Sequence, residues 1–137
     1  MEYNDEYPTC ERTYATVRIL GMPANDIGGA LGLIPTRTQS AGEGAPSRPG
    51  GWFLTTKDAV NSRDIRRHLD WLLDRLEPRA TALADLRGRG ATIDIFCYWL
   101  SASGHGGPII SPSQAQRLAA LDLECGFDVY FPPRGTG

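Results

Sequence analysis

Apolar and polar residues alternate between Thr13 and Leu20: Ala15, Val17 and Ile19 fall on one side, Tyr14, Thr16 and Arg18 on the other. Successive side chains of an extended chain point to opposite faces, so this spacing predicts a half-buried strand. The same period returns twice. In Ala91–Leu100, Ile93, Ile95, Cys97 and Trp99 share one face, and Thr92, Asp94, Phe96 and Tyr98 share the other. In Cys125–Phe131, Phe127 and Val129 oppose Asp128 and Tyr130. A shorter apolar run predicts a further strand over Trp52–Thr56.

Between these stretches the period changes to that of a helix. In Asn61–Glu77, Ile65, Leu69, Leu72 and Leu76 recur three and four apart, with Trp71 and Leu73 widening the apolar stripe. Asn61 is placed to cap this helix, Asp64 to reach back to it, and Pro78 to end it. A second helical piece follows over Arg79–Leu86 and stops at Gly88. Ser111-Pro112-Ser113-Gln114 has the form of a capping box with proline in the first turn, opening a helix to about Leu121. Ala24–Leu31 predicts a shorter helix with Asn25 or Asp26 as cap, Gly32 as stop, and Ile27 and Leu31 buried. Its adjacent Gly28 and Gly29 make it depend on tertiary packing.

The expected order is strand, helix, strand, long helix, strand, helix, strand. This predicts one α+β domain over residues 13–131, with an antiparallel or mixed sheet and helices on one face, of ferredoxin-like type. Residues 1–12 read as a flexible lead-in, 132–137 as a tail, and the Pro-, Gly- and Ser-rich 35–51 as a long flexible loop. A weak internal echo, strand then helix then Leu-x-Leu, links Thr16–Leu33 with Ile93–Leu123 and raises the idea of a βαβ duplication.

Composition narrows the function more than it names it. Among 137 residues, 41% are hydrophobic and 22% charged, ordinary values for a chain with a real core. A net charge of −2 opposes sequence-independent nucleic-acid binding, which needs a basic surface. No apolar run approaches the ~20 residues needed to span a bilayer, and Met-Glu-Tyr-Asn-Asp-Glu is unlike a signal peptide. The odd, widely spaced set Cys10, Cys97 and Cys125 is not a disulfide framework. A cytoplasmic location is the expectation, with no nucleic-acid or membrane partner.

The strand followed by Pro23, and the helix ending Leu31-Gly32-Leu33-Ile34-Pro35-Thr36, are features of a known family. So are Trp52 after the glycine-rich loop, His68-Leu69 and Leu72-Leu73 in the long helix, and Asp128-Val129-Tyr130 in the closing strand. Over Thr13–Tyr130 the chain resembles the small bacterial proteins grouped as domain of unknown function 4279. One departure is Asn25-Asp26-Ile27-Gly28, where that pattern has Thr or Ser after the Ile. The resemblance implies an α+β fold and a bacterial origin, and carries over no catalytic residue. Some members resemble immunity or accessory proteins, which implies a binding role.

Chemical motifs are sparse. Ser103-Gly104-His105-Gly106-Gly107-Pro108 lacks the Lys-Ser/Thr of a phosphate loop, and no Gly-x-Ser-x-Gly elbow accompanies its His-Gly-Gly. A turn between strand and helix accounts for it. His68 reads as a helix-edge histidine, Cys97 and Cys125 as small core residues, and no pair has the spacing of a metal site, so no metal or cofactor is expected. The sheet face away from the helices is richer, with Tyr14, Arg18, Asp94, Phe96, Tyr98, Asp128 and Tyr130. Aromatic residues with arginine fit a protein-binding surface, for another protein or for a second copy of the chain. The alternative is a small enzyme or ligand-binding protein using Asp94 and Asp128 with the 35–50 and 101–108 loops.

Overall fold

A computed structural model describes residues 2–132. The elements are β1 (Cys10–Leu20), α1 (Ala24–Leu31), β2 (Arg37–Gln39), β3 (Gly51–Thr55), α2 (Ile65–Leu76), a 3₁₀ turn (Glu77–Arg79), α3 (Ala80–Gly88), β4 (Thr92–Ser101), α4 (Pro112–Ala120) and β5 (Glu124–Tyr130). The strands form one open, mixed sheet in the order β2-β3-β1-β4-β5. Every neighbouring pair is antiparallel except β4–β5, which α4 connects as a parallel unit.

The alternation determines which face is covered. Ala15, Val17, Ile19, Trp52, Leu54, Ile93, Ile95 and Cys97 enter one core with Ile27 and Leu31 of α1, Leu69, Leu72, Leu73 and Leu76 of α2, Leu83 and Leu86 of α3, and Leu118 of α4. The helices therefore lie on one side of the sheet. Fully burying one of these leucines contributes about 1.5–3 kcal/mol, so the α2 stripe alone goes far to hold the layers together.

Several local expectations change. The loop predicted over 35–51 contains β2, which pairs Arg37 with Phe53 and Gln39 with Gly51. Three residues are too few to show a period, and only the pairing with β3 defines the strand. Helix α2 is capped by Asp64, not Asn61: the Asp64 carboxylate accepts from the Arg66 backbone N–H at 3.0 Å. Helix α1 has Pro23 at its cap and no side-chain cap bond, while Gly32, at φ 66°, closes it as expected. The capping box of Ser111 and Gln114 is formed.

The lead-in is strapped down. Strand β1 begins at Cys10, and the turns before it bond to α2: Asn4 N–H donates to Asp64 at 2.8 Å, and Ser62 and Arg67 both donate to Asp5. The Tyr3 hydroxyl bonds Asp70. Of the expected tail, only Pro132 lies within the described residues. The α4–β5 unit departs from a ferredoxin-like arrangement by adding an edge strand parallel to β4. Both stretches of the echo fold as a strand followed by a helix, β1–α1 and β4–α4, but the strands that follow them differ: β3 separates β1 from β2, while β5 is the direct neighbour of β4.

Candidate functional site

Among the described residues no helix covers the second face of the sheet, and its side chains pack on one another instead. Tyr14 lies opposite Tyr98 in the β1–β4 register, their rings stacked with centroids 4.8 Å apart. Tyr130, from β5, tilts against Tyr98 at 5.3 Å. Cross-strand aromatic pairs of this kind stabilise a sheet and hold its rings in place.

Next to the tyrosines lies a charged pair. Arg18 and Asp94 are direct partners across β1 and β4, and the guanidinium donates through Nε and Nη2 to both carboxylate oxygens, at 2.7 and 2.8 Å. Hydrogen bonding to Asp94 raises the Arg18 pKa, against a smaller opposing effect of burial. The same guanidinium lies 4.1 Å from the centre of the Phe96 ring. Phe96 in turn rests on Gly126, its partner on β5: a β-carbon there would come within 2.6 Å of the ring. An edge glycine covered by a cross-strand aromatic is a recognised device for closing a gap in a sheet.

All seven side chains expected on this face are brought onto it, and Asp94 and Asp128 are not brought together. Asp94 is opposite Glu124 and Asp128 is opposite Tyr98. Four residues of strand separate their backbone positions, about 13 Å at ~3.3 Å per residue, although the Asp128 charge still acts on Arg18. Asp94 is also occupied by Arg18, so the carboxylate pair needed for acid–base work is not assembled.

Sequence patterning missed one end of the face. Phe53 of β3 points the same way, and the Arg37 guanidinium lies 4.0 Å over its ring. Arg18, Arg37, Arg48, Gln39, Ser47 and Phe53 line a groove of about 580 Å³. On the other side of β2, a second cavity of about 520 Å³ lies between the β1–α1 turn and Thr38–Ala41. The chain crosses closely there: Gly21 N–H donates to Gly50 O at 2.9 Å, and a β-carbon on Gly50 would meet Met22 O at 2.6 Å.

Elsewhere the titratable groups serve the fold. His68, expected at a helix edge, is buried; its Nε2 donates to Ser62 O at 2.8 Å and its Nδ1 meets Thr56 Oγ1 at 2.6 Å. Burial lowers its pKa below 6.5. Cys97 and Cys125 face each other with sulfurs 3.7 Å apart. Their hydrogen bond, helped by burial, raises the pKa of Cys97 well above the ordinary thiol value; it lowers that of Cys125, against the effect of burial. Arg117 of α4 bridges Asp70, Asp74 and Glu77 at 2.6–2.9 Å, tying α4 to the α2 end. Among the described residues there is no group of three or more His, Cys, Asp or Glu placed to hold a metal ion, and no helix long and apolar enough to cross a membrane.

No curated protein and no solved structure matches the chain. The family model described as "Domain of unknown function (DUF4279)" matches residues 11–132, from β1 through β5, and the chain belongs to that family.

Proposed function

We propose that this chain is a non-catalytic binding domain whose helix-free sheet face docks another protein, one that presents acidic groups to the arginine-lined end. The observation that carries this reading is the ordered layer of Tyr14, Tyr98, Tyr130, Phe96 and Arg18 on the uncovered face. Rings and guanidinium are already held by their neighbours, so little side-chain entropy is lost when a partner covers them. Tyrosine and arginine are the residues enriched at interface hot spots. Charge selects the partner's chemistry. Arg37 and Arg48 have no carboxylate bound to them among the described residues, so acidic groups opposite them would meet unsatisfied cations. The family's lack of an assigned activity is compatible with this role.

The test is co-purification from the source cells of the tagged chain, a Tyr98→Ala/Tyr130→Ala variant and an Asp85→Ala control on α3, followed by sizing. A stoichiometric partner of different mass, retained by the control and lost from the double variant, is the expected result. A partner held equally by all three, or a species of twice the chain's own mass, would remove this assignment.

A further inference from the structure

We infer that the groove between β2, β3 and the 45–49 segment is an oxyanion-binding site, taking a ligand with two or more phosphate or carboxylate charges through Arg37 and Arg48. The inference rests on the binding reading above only for what carries the anion, not for the anion's chemistry. Three arginines, Arg18, Arg37 and Arg48, line this one groove, and no Asp or Glu is among its lining residues. That concentration is unexpected in a chain whose net charge is −2.

The three are not equivalent. Arg18 has committed Nε and Nη2 to Asp94, leaving Nη1. Arg37 is held over Phe53 at 4.0 Å and makes no ion pair among the described residues. A guanidinium lying on a ring keeps its in-plane N–H groups available, and their fork matches the spacing of phosphate or carboxylate oxygens. Arg48 lies against Gly44, where a β-carbon would sit 3.4 Å from Nη1, and it too lacks a carboxylate partner among the described residues. Gln39 donates its amide N–H to Pro49 O at 2.7 Å, pinning the loop segment that carries Arg48 to the strand that carries Arg37. Two cations lining one groove without a carboxylate partner among the described residues repel each other, and an anion bound there relieves that repulsion. A volume of about 580 Å³ exceeds what a lone phosphate fills and sits within the ~300–1,000 Å³ usual for ligand sites.

The experiment follows the arginine Nε–H signals by NMR at 0.15 M salt during titration with inorganic pyrophosphate and, separately, with a hexaglutamate peptide. Arg89, exposed at the C-cap of α3, is the internal reference. Saturable shifts at Arg37 and Arg48 are expected; read from the backbone amides of Gln39 and Ser47, which also line the groove, apparent affinity should be at least tenfold weaker in Arg37→Gln/Arg48→Gln and unchanged in Arg89→Gln. Tighter binding of pyrophosphate would place the anion on a free small molecule. Tighter binding of the peptide would place it on an acidic segment of the docked protein. Shifts at Arg37 and Arg48 no larger than at Arg89, or an unaltered affinity in the double variant, would overturn the site while leaving the tyrosine face to its own test.

Discussion

Gly126→Ala probes the open face without replacing any side chain now on it. A β-carbon on Gly126 would lie 2.6, 2.7 and 3.0 Å from three atoms of the Phe96 ring. To reach ordinary contact at 3.4 Å or more, the ring must retreat by about 0.8 Å, disturbing its packing with Arg18 at 4.1 Å. Forcing a carbon into a filled site costs about 1–3 kcal/mol. Replacing glycine by alanine also stiffens the unfolded chain, which returns about 0.4–1 kcal/mol where the backbone allows it. Gly126 is not among the residues with positive φ, so that gain applies. The net expectation is a loss of up to about 2.6 kcal/mol in the native background. With Phe96→Ala in place the clash disappears, and the same substitution stabilises by about 0.4–1 kcal/mol. Urea unfolding followed by the fluorescence of buried Trp52 and Trp99 measures all four proteins of the cycle. Equal effects of Gly126→Ala in both backgrounds, within the ~0.3–0.5 kcal/mol expected of independent sites, would refute the packing of Phe96 on Gly126.

Three further outcomes follow. Burial lowers the His68 pKa, so the folded state keeps the imidazole neutral while the unfolded chain protonates near 6.5. The stability this contributes is complete above pH 6.5 and is lost as pH falls below it, by at most about 1.4 kcal/mol per unit; urea midpoints at pH 7.5 and 5.5 should differ less in His68→Gln, and an unchanged difference would contradict the assignment. Among the described residues Trp52 Nε1 is buried without a hydrogen-bond partner, and a β-carbon at Gly28 would lie 3.7 Å from it. Gly28→Ser should therefore exceed Gly28→Ala in stability by about 1 kcal/mol, the usual value of a satisfied hydrogen bond, with the melting temperature as readout and equal stability as the contrary result. Cys125 is partly exposed and its pKa is lowered, whereas Cys97 and Cys10 are buried and raised, Cys10 to about 11 by burial. Iodoacetamide should alkylate Cys125 first in the folded protein, as peptide mass mapping would show; first labelling at Cys10 or Cys97 would contradict this.

How much was legible in the sequence depended on length and period. The three long strands announced both faces, because ten alternating residues in Thr92–Ser101 leave one solution for what turns inward. The part of the open face built by β1, β4 and β5 was therefore readable to the residue. Strand β2 was not, since a three-residue edge strand carries no period, and Arg37 was lost with it; without that neighbour nothing showed that Phe53 of β3 and Arg48 of the loop extend the face. Asp64 was misplaced in α2 because a cap is chosen by where the chain is tied, and Asn4 and Arg66 tie it there. His68 shows the limit of an i, i+4 stripe: its burial comes from Thr56 and Ser62, partners the helical period does not encode. Tandem glycines told the reader only that α1 was weak; that Gly28 sits beneath the Trp52 indole required the fold.

The most direct test of the binding face is site-specific photo-crosslinking in the source cells. A photoreactive phenylalanine analogue is placed in turn at Tyr98, at Tyr130 and, on the helix side, at Asp85. The account predicts one adduct with another protein from Tyr98 and Tyr130, absent at Asp85 and lost from the Tyr98 probe when Tyr130 is also changed to Ala. Adducts of equal yield from Asp85, or none from the two tyrosine positions, would contradict it.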